Sequence, residues 1–429
     1  MKGYLCSILM FLSVSIPLES QTIKHSLDFY LDKAVHCSPL QLDKDNQTAI
    51  LSNERQYLKS VYTHAQTLLT GNYLFVPIIE KNNGTTSFKW NAQSASDYYG
   101  YDLGVSNGNL QYGVTWTQPL LGNSLYKAAE SQINVQQDIL YNNIRLNQHD
   151  IERNVIDQYI LCMLDRNQID FADSISGLLS TQADFITRLA RAGQAKQSDI
   201  QIIGIEQKSN DEMKVSYLQS YHNHLMEMNA FCCIRDTDTV DLEKISINKN
   251  IEAIESQFLK KYDLDSANVI ASKRIFDTKY KPQLNLFTNL GMQTAHYSSM
   301  YKNFGMSAGL TFSMVLSDGQ QKKIKQREAE AALLSITIYK DNLMKQNEIR
   351  RDQCSHTIID FDTRIQLLDT QLNEYNKLLD ISQKEIRAGQ MSVFDYITTL
   401  KNIISTKQQK MVVEANRQLA INAYNYYNW

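Results

Sequence analysis

Apolar residues recur every seven positions over long stretches of this chain. Ile358, Ile365, Leu372, Leu379 and Ile386 form one row; Phe361, Leu368 and Tyr375, three residues on, form a second. Leu164, Phe171, Leu178 and Phe185 repeat likewise in the first half. Rows at this spacing are helix-packing seams. Helix breakers are correspondingly sparse. Prolines stand only at positions 17, 39, 77, 119 and 282, and Gly389 is the sole glycine after Gln320. The pattern predicts unbroken helices over Asn123–Ala190 and Gln320–Ile386, each roughly 100 Å long at 1.5 Å per residue. Shorter helices are predicted over Gln197–Cys232, Phe394–Tyr427, Lys249–Lys279 and Asn46–Thr70. Stacked end to end in pairs, they would match the length of a long one.

Each long helix ends in the same letters. Arg191-Ala192-Gly193-Gln194 and Arg387-Ala388-Gly389-Gln390 are 196 positions apart, and Asp199 and Asp395 follow at equal distance. A glycine closing a long helix reads as a left-handed C-cap. Ser198-Asp199 and Ser392 with Asp395 then supply the N-cap and first-turn acid of a returning helix. Gly193 and Gly389 are therefore predicted tips of two antiparallel helical hairpins.

The pattern changes ahead of each long helix. In "LQYGVTWTQPLL", Leu110, Tyr112, Val114 and Trp116 alternate with Gln111, Gly113, Thr115 and Thr117. In "GMSAGLTFSMVL", Met306, Ala308, Leu310, Phe312 and Met314 alternate with Ser307, Gly309, Thr311 and Ser313. Period two over about ten residues is a strand. "NYLFVPII" and "PQLNLFTNL" are the expected partners, joined by polar loops over Glu80–Asn109 and Gly291–Phe304. Each half thus reads helix, strand, loop, strand, long helix, tip, helix, with repeats at residues 21–248 and 249–429. Apolar side chains on one face and small polar ones on the other match a transmembrane β-strand, and four strands are too few to close a barrel alone.

Composition narrows the class. The net charge of -3 lacks the strong basic excess of a nucleic-acid binder. Mean hydropathy is -0.37, and the one long apolar run, Tyr4–Leu18 after Lys2, reads with the residues to Ser20 as a signal peptide. Residues 1–20 are the expected leader and Gln21 the mature start. Cys37, Cys162, Cys232, Cys233 and Cys354 then remain; their spacing fits no zinc site, so they are expected as buried or free thiols. The adjacent Cys232-Cys233 pair is the one redox candidate. His222 and His224, two apart, do not share a helical face. No HExxH, P-loop or Gly-x-Ser-x-Gly is present, and Ser355-His356 lies in a heptad helix. The expectation is a protein that is not an enzyme and holds no metal or cofactor.

With these residues in view, the mature chain resembles the TolC-type outer-membrane efflux proteins along its whole length. "SLDFYLDKAVHCSPLQ" resembles their opening helix, "YKPQLNLFTNLG" a strand that starts at proline, and "GLTFSMVLSDGQQKKIKQREAEAAL" the passage from strand through a glycine-marked turn into a helix. The two Arg-Ala-Gly-Gln stretches resemble their hairpin tips. The resemblance implies a mainly α fold with a small β-barrel part, and a homotrimer in which four strands per chain make a twelve-stranded barrel. It implies an exit duct for a tripartite efflux or type I secretion system, reaching from the outer membrane of a Gram-negative bacterium through the periplasm. A periplasmic adaptor and an inner-membrane pump would be its partners. Gly193, Gln194, Asp199, Gly389, Gln390 and Asp395 would form the periplasmic aperture. Arg188, Arg191 and Arg387 would touch the adaptor, and Tyr112, Val114, Trp116, Leu310 and Phe312 would face outer-membrane lipid. The chain departs from the family at Gln194, where leucine is usual, at Val315 in place of a proline, and at Met391 and Thr398 beside the second tip. A second reading, a periplasmic coiled-coil adaptor or structural protein of the envelope, shares the helical hairpins but requires compact β domains rich in glycine and valine.

Overall fold

The computed structural model describes residues 24–73, 78–89, 110–235, 240–251, 256–294, 301–302, 304–388 and 390–429. The leader, Gly389 and most of the first polar loop lie outside these residues. In chain order the elements are β1 (Lys24–His25), α1 (Leu27–Cys37), α2 (Pro39–Leu42), α3 (Lys44–Thr63), β2 (Gln66–Tyr73), β3 (Ile78–Asn82), β4 (Thr85–Lys89), β5 (Leu110–Pro119), α4 (Asn123–Arg191), α5 (Gln197–Cys232) and β6 (Asp241–Leu242). A 3-10 turn, Gln257–Leu259, then leads to α6 (Lys260–Thr278), β7 (Gln283–Thr294), β8 (Phe304–Ser313), α7 (Gln321–Arg387) and α8 (Val393–Tyr427). The long helices α4 and α7 hold 69 and 67 residues. Among the described residues no helix is long and apolar enough to cross a membrane.

The chain divides into two compact units. The first takes Met1–Ser38, Asp150–Ile251 and Asp352–Tyr426; the second takes Pro39–His149, Glu252–Arg351 and Tyr427–Trp429. Each draws on both predicted repeats.

The first unit is built on two apolar clusters. In one, Tyr30 and Ala34 of α1 pack with Val155, Tyr159 and Cys162 of α4, with Tyr221, Leu225, Met228 and Cys232 of α5, and with Leu242. Burying each large side chain contributes about 1.5–3 kcal/mol. The Tyr159 hydroxyl lies 2.8 Å from the carbonyl of Glu243 and 3.1 Å from that of His25, so the β1–β6 pair is tied to the helices by a satisfied polar group. Burial pushes the Tyr159 and Tyr221 phenols up to about 12. The second cluster joins the hairpins: Ile175, Leu179, Ile186 and Leu189 of α4 and Ile203 of α5 meet Ile386, Val393, Tyr396, Ile397 and Leu400. In the row from Ile358 to Ile386, Ile358, Leu372 and Ile386 are buried, and Ile365 and Leu379 are half-buried. In α4 the buried seam runs instead through Val155, Cys162, Ile169 and Ile175, and Leu178 is exposed. The row read from Leu164 lies beside that seam, because an apolar spacing of seven does not choose between neighbouring stripes of one helix.

Three expectations need correction here. Cys37 and Cys233 form a disulfide with their Cα atoms 5.9 Å apart; Cys162, Cys232 and Cys354 are free thiols, so the vicinal pair is not a redox pair. Helix does not begin near Lys249. Residues 243–251 are irregular because α8 satisfies their backbone: Ile247 N–H donates to Gln418 Oε1 and Asn250 N–H to Asn425 Oδ1, each at 2.8 Å. Among the described residues α-helix resumes at Lys260, giving α6 a length of 19 residues. In the second unit, α3 stops at Thr63 and the strand begins at Gln66, earlier than "NYLFVPII" suggested.

The second unit carries a four-stranded antiparallel sheet in the order β2-β5-β7-β8. The central pairing, β5 with β7, sets Gly113 opposite Gly291. The strands need both glycines. A Cβ on Gly291 would lie 2.3 Å from the Tyr112 carbonyl oxygen, and one on Gly113 2.8 Å from that of Leu290. Beside the sheet, β3 and β4 form a separate hairpin through Asn83-Gly84, both at positive φ; an Asn-Gly turn of this kind matches strand twist.

Candidate functional site: hairpin tips and sheet

The first tip is a Schellman cap. Gly193 has φ +74; its N–H donates to the Ala190 carbonyl at 3.0 Å, and the Gln194 N–H reaches Leu189 O at 2.9 Å. These bonds satisfy carbonyls that the helix end leaves open. The second tip makes the matching bond, from Gln390 N–H to Glu385 O at 2.9 Å. The returning helices are capped differently. Lys196, not Ser198, precedes α5, and the Asp199 carboxylate accepts its backbone N–H at 2.8 Å. Before α8, Ser392 Oγ accepts the Asp395 N–H at 3.1 Å and donates to Asp395 Oδ2 at 2.6 Å. Asp199 and Asp395 therefore both act as first-turn caps.

The first unit brings the two tips together. Tyr396, fully buried, donates its hydroxyl to Gln182 Oε1 at 2.9 Å, and Lys401 pairs with Glu206 at 2.9 Å. Arg188 and Arg191 are exposed in the last turn of α4, where cations suit the helix dipole; Arg188 Nε also donates to Asp184 O at 3.3 Å. The Arg387 side chain lies outside the described residues. Tyr396 was missed by the sequence reading; an aromatic one residue after a first-turn acid is the signal that would have found it.

The sheet has two chemically different faces. Strand register places Leu69, Val114, Leu290 and Met306 in one cross-strand row, and the rows nearby add Tyr112, Trp116, Leu310 and Phe312. These side chains are exposed, Phe312 to 64% and Leu310 to 62%. The opposite face carries Thr70, Thr115, Asn289, Ser307 and Thr311. Its one aromatic, Phe287, lies over Gly309: a Cβ there would stand 2.8 Å from Phe287 Cζ. The four strands hold 8, 10, 12 and 10 residues, and none is Asp, Glu, Lys, Arg or His, although 21% of the chain is charged. That charge-free interval was visible in the letters but shows only once the strand limits are known.

Among the described residues no group of three His, Cys, Asp or Glu side chains could hold a metal ion. The nearest to such chemistry is a pair. Asp165, 5% exposed, meets His224 Nδ1 at 2.6 Å, and burial raises its carboxyl above the usual range while His224 opposes that rise.

No family model and no curated relative matches the sequence. Solved structures do match. The outer membrane protein VceC of Vibrio cholerae superposes with a TM-score of 0.70 at 9% identity, over 94% of this chain and 95% of that one. CusC, whose structures describe folding and transmembrane channel formation, gives 0.69 at 9% over 95% and 92%. The outer-membrane channel OprN gives 0.68 at 11% over 94% and 89%. The chain has the fold of these outer-membrane channels.

Proposed function

We propose that this chain is one subunit of a homotrimeric outer-membrane exit duct, a TolC-type channel that conducts solutes passively. It is placed in the outer membrane after removal of residues 1–20. The sheet carries this reading. Among the described residues its edges, β2 and β8, are unpaired, and long unpaired apolar edges are not tolerated in lipid. Four antiparallel strands leave β2 and β8 running in opposite directions. The β8 edge of one copy can therefore accept the β2 edge of the next, head to tail. Two copies would supply eight strands, the practical minimum for a barrel, and three would supply twelve. The apolar face with Trp116 and Phe312 would meet lipid, and the hydroxyl and amide face would line the lumen. A periplasmic adaptor would suit neither the charge-free strands nor the exposed apolar face.

The paired tips would sit at the periplasmic end, facing an adaptor and an inner-membrane pump of a tripartite efflux or type I secretion system. Arg188, Arg191 and Arg387 are the adaptor-facing candidates. Asp395, besides capping α8, would form an acidic ring with its copies. Light scattering in detergent together with planar-bilayer conductance tests the assembly. A trimer with steady conductance is expected, and a monodisperse monomer would end the reading. Asp395→Asn keeps the cap and should lower cation selectivity; unchanged selectivity would leave Asp395 as a cap alone.

A further inference from the structure

The charge-free sheet ends abruptly at one edge of its height. Gln283 and Ser313 are the last pair of the β7–β8 ladder. Just beyond them stand Lys279 and Lys281 on one side and Lys322, Lys323 and Lys325 on the other. Side-chain contacts join these two stretches into one patch. Lys279 Nζ donates to Gln321 Oε1 at 2.9 Å. The Tyr280 hydroxyl donates to Asp318, and Lys322 Nζ lies 5.2 Å from the centre of the Tyr280 ring.

Asp318 offsets only one of these charges and forms no ion pair with the lysines: its carboxylate accepts from Tyr280 and from the backbone N–H groups of Gln320 and Lys322. Lys325 pairs with Glu328 at 2.7 Å. Among the described residues no carboxylate pairs with Lys279, Lys281, Lys322 or Lys323, and all four are exposed. Lys322 and Lys323 do not serve α7 either, because cations in a first turn oppose the helix dipole, whereas Lys279 and Lys281 follow the C-terminus of α6, where cations suit it. Alongside them the apolar face continues past the strand, with Leu316 89% exposed and Met314 49% exposed. A greasy band bordered by unneutralised lysines is the pattern of a surface that sits in lipid and binds the headgroups at its boundary.

We propose that Lys279, Lys281, Lys322 and Lys323 form a binding surface for the phosphate headgroups of anionic phospholipid in the leaflet on the helix side of the sheet. The site rests on the membrane reading above and adds a preferred lipid to it. Leu316 and Met314 lie against the acyl chains, and the lysines hold the headgroups. Each lysine near an anionic surface shifts lipid partition by about fivefold, and the attraction weakens as salt shortens the Debye length.

The test reconstitutes the purified protein in nanodiscs of phosphatidylcholine, with and without roughly one part in four of phosphatidylglycerol, a content that gives an anionic surface. Lipids that survive extraction into detergent are counted by native mass spectrometry. The wild type should retain phosphatidylglycerol at least fivefold above its share. Lys281→Gln/Lys323→Gln should lose most of that excess at low salt, and Lys345→Gln, farther along α7, should keep it. Equal retention by the wild type and the double variant, with both inserted, overturns the lipid site and leaves the channel intact. Failure of the wild type to insert in either nanodisc overturns the membrane reading and the lipid site together.

Discussion

Breaking the Cys37–Cys233 bond is the sharpest perturbation this structure offers. The two cysteines are 196 residues apart in sequence, and tying an unfolded chain over a loop of that length stabilises the folded state by about 5 kcal/mol on the chain-entropy relation. The bond holds the end of α1 to the end of α5, while Tyr30 and Ala34 already bury α1 at 2% and 0% exposure. Cys37→Ser/Cys233→Ser should therefore still fold, with a clearly lower unfolding midpoint. Position 233 adds a second, smaller effect. Cys233 has φ +54; the Ile234 N–H closes α5 on Asn229 O at 2.9 Å. This is a left-handed cap position where glycine is preferred by about 1 kcal/mol. Cys37→Ser/Cys233→Gly should thus stand about 1 kcal/mol above the double-serine variant, since both lack the bond and only one keeps the backbone strain. Denaturant titration of the three proteins, with the wild type run with and without reductant, reads both effects. A wild-type midpoint insensitive to reductant and equal to that of the double-serine variant would refute the loop argument. Equal midpoints for serine and glycine at position 233 would refute the cap argument alone.

Four further outcomes are expected. Phe312→Arg should cost about 2–4 kcal/mol of assembly stability and Thr311→Arg far less, if Phe312 faces lipid; equal trimer yields on gel filtration would contradict the assignment of faces. Gly122→Ala would put a Cβ 1.6 Å from the Tyr62 carbonyl oxygen and should destabilise by about 1–3 kcal/mol or more. Gly204→Ala, with nothing within 4 Å, should stabilise α5 by about 0.5–1 kcal/mol in thermal unfolding. Burial raises the Asp157 carboxyl, partly offset by Asn422 and Arg153. The unfolded chain therefore releases this proton first as pH rises, and the carboxyl's contribution falls between about pH 3.9 and its raised native value. Asp157→Asn should gain on the wild type from pH 4 to pH 7, and a constant difference in denaturation midpoint would contradict this.

The helices were legible because their signals are local. A long run without proline, closed by Arg-Ala-Gly-Gln, fixes α4 and α7 to within a residue or two, since the cap at such a glycine depends only on the residues beside it. The strands were legible in kind but not in limit. Period two identified β5 and β8, whereas Gln66–Leu69, the start of β2, does not alternate and reads equally well as the end of a helix. The tip acids were legible as caps for the same local reason, and Ser392 with Asp395 is a spacing that any helix start can display.

What escaped the sequence depends on partners distant in the chain. Ile247 and Asn250 lie in a stretch compatible with helix, and they are irregular because Gln418 and Asn425, about 170 residues later, accept their N–H groups. Nothing within a helical window contains that information, and the competition is won by bonds that a helix at 247–250 would have to give up. The disulfide follows the same logic. Cys37 and Cys233 each sit at a helix end, but pairing them requires knowing that α1 docks on α5, which Tyr30 and Tyr221 decide by packing. The unneutralised lysines beyond β7 and β8 are a third case: in the sequence they are two ordinary basic stretches far apart, and they become one surface only when the β7–β8 ladder folds Lys281 and Lys323 to the same end of the sheet. Function in this chain is therefore written less in motifs than in which side of an element is left without a partner, and that is decided by the long-range pairings.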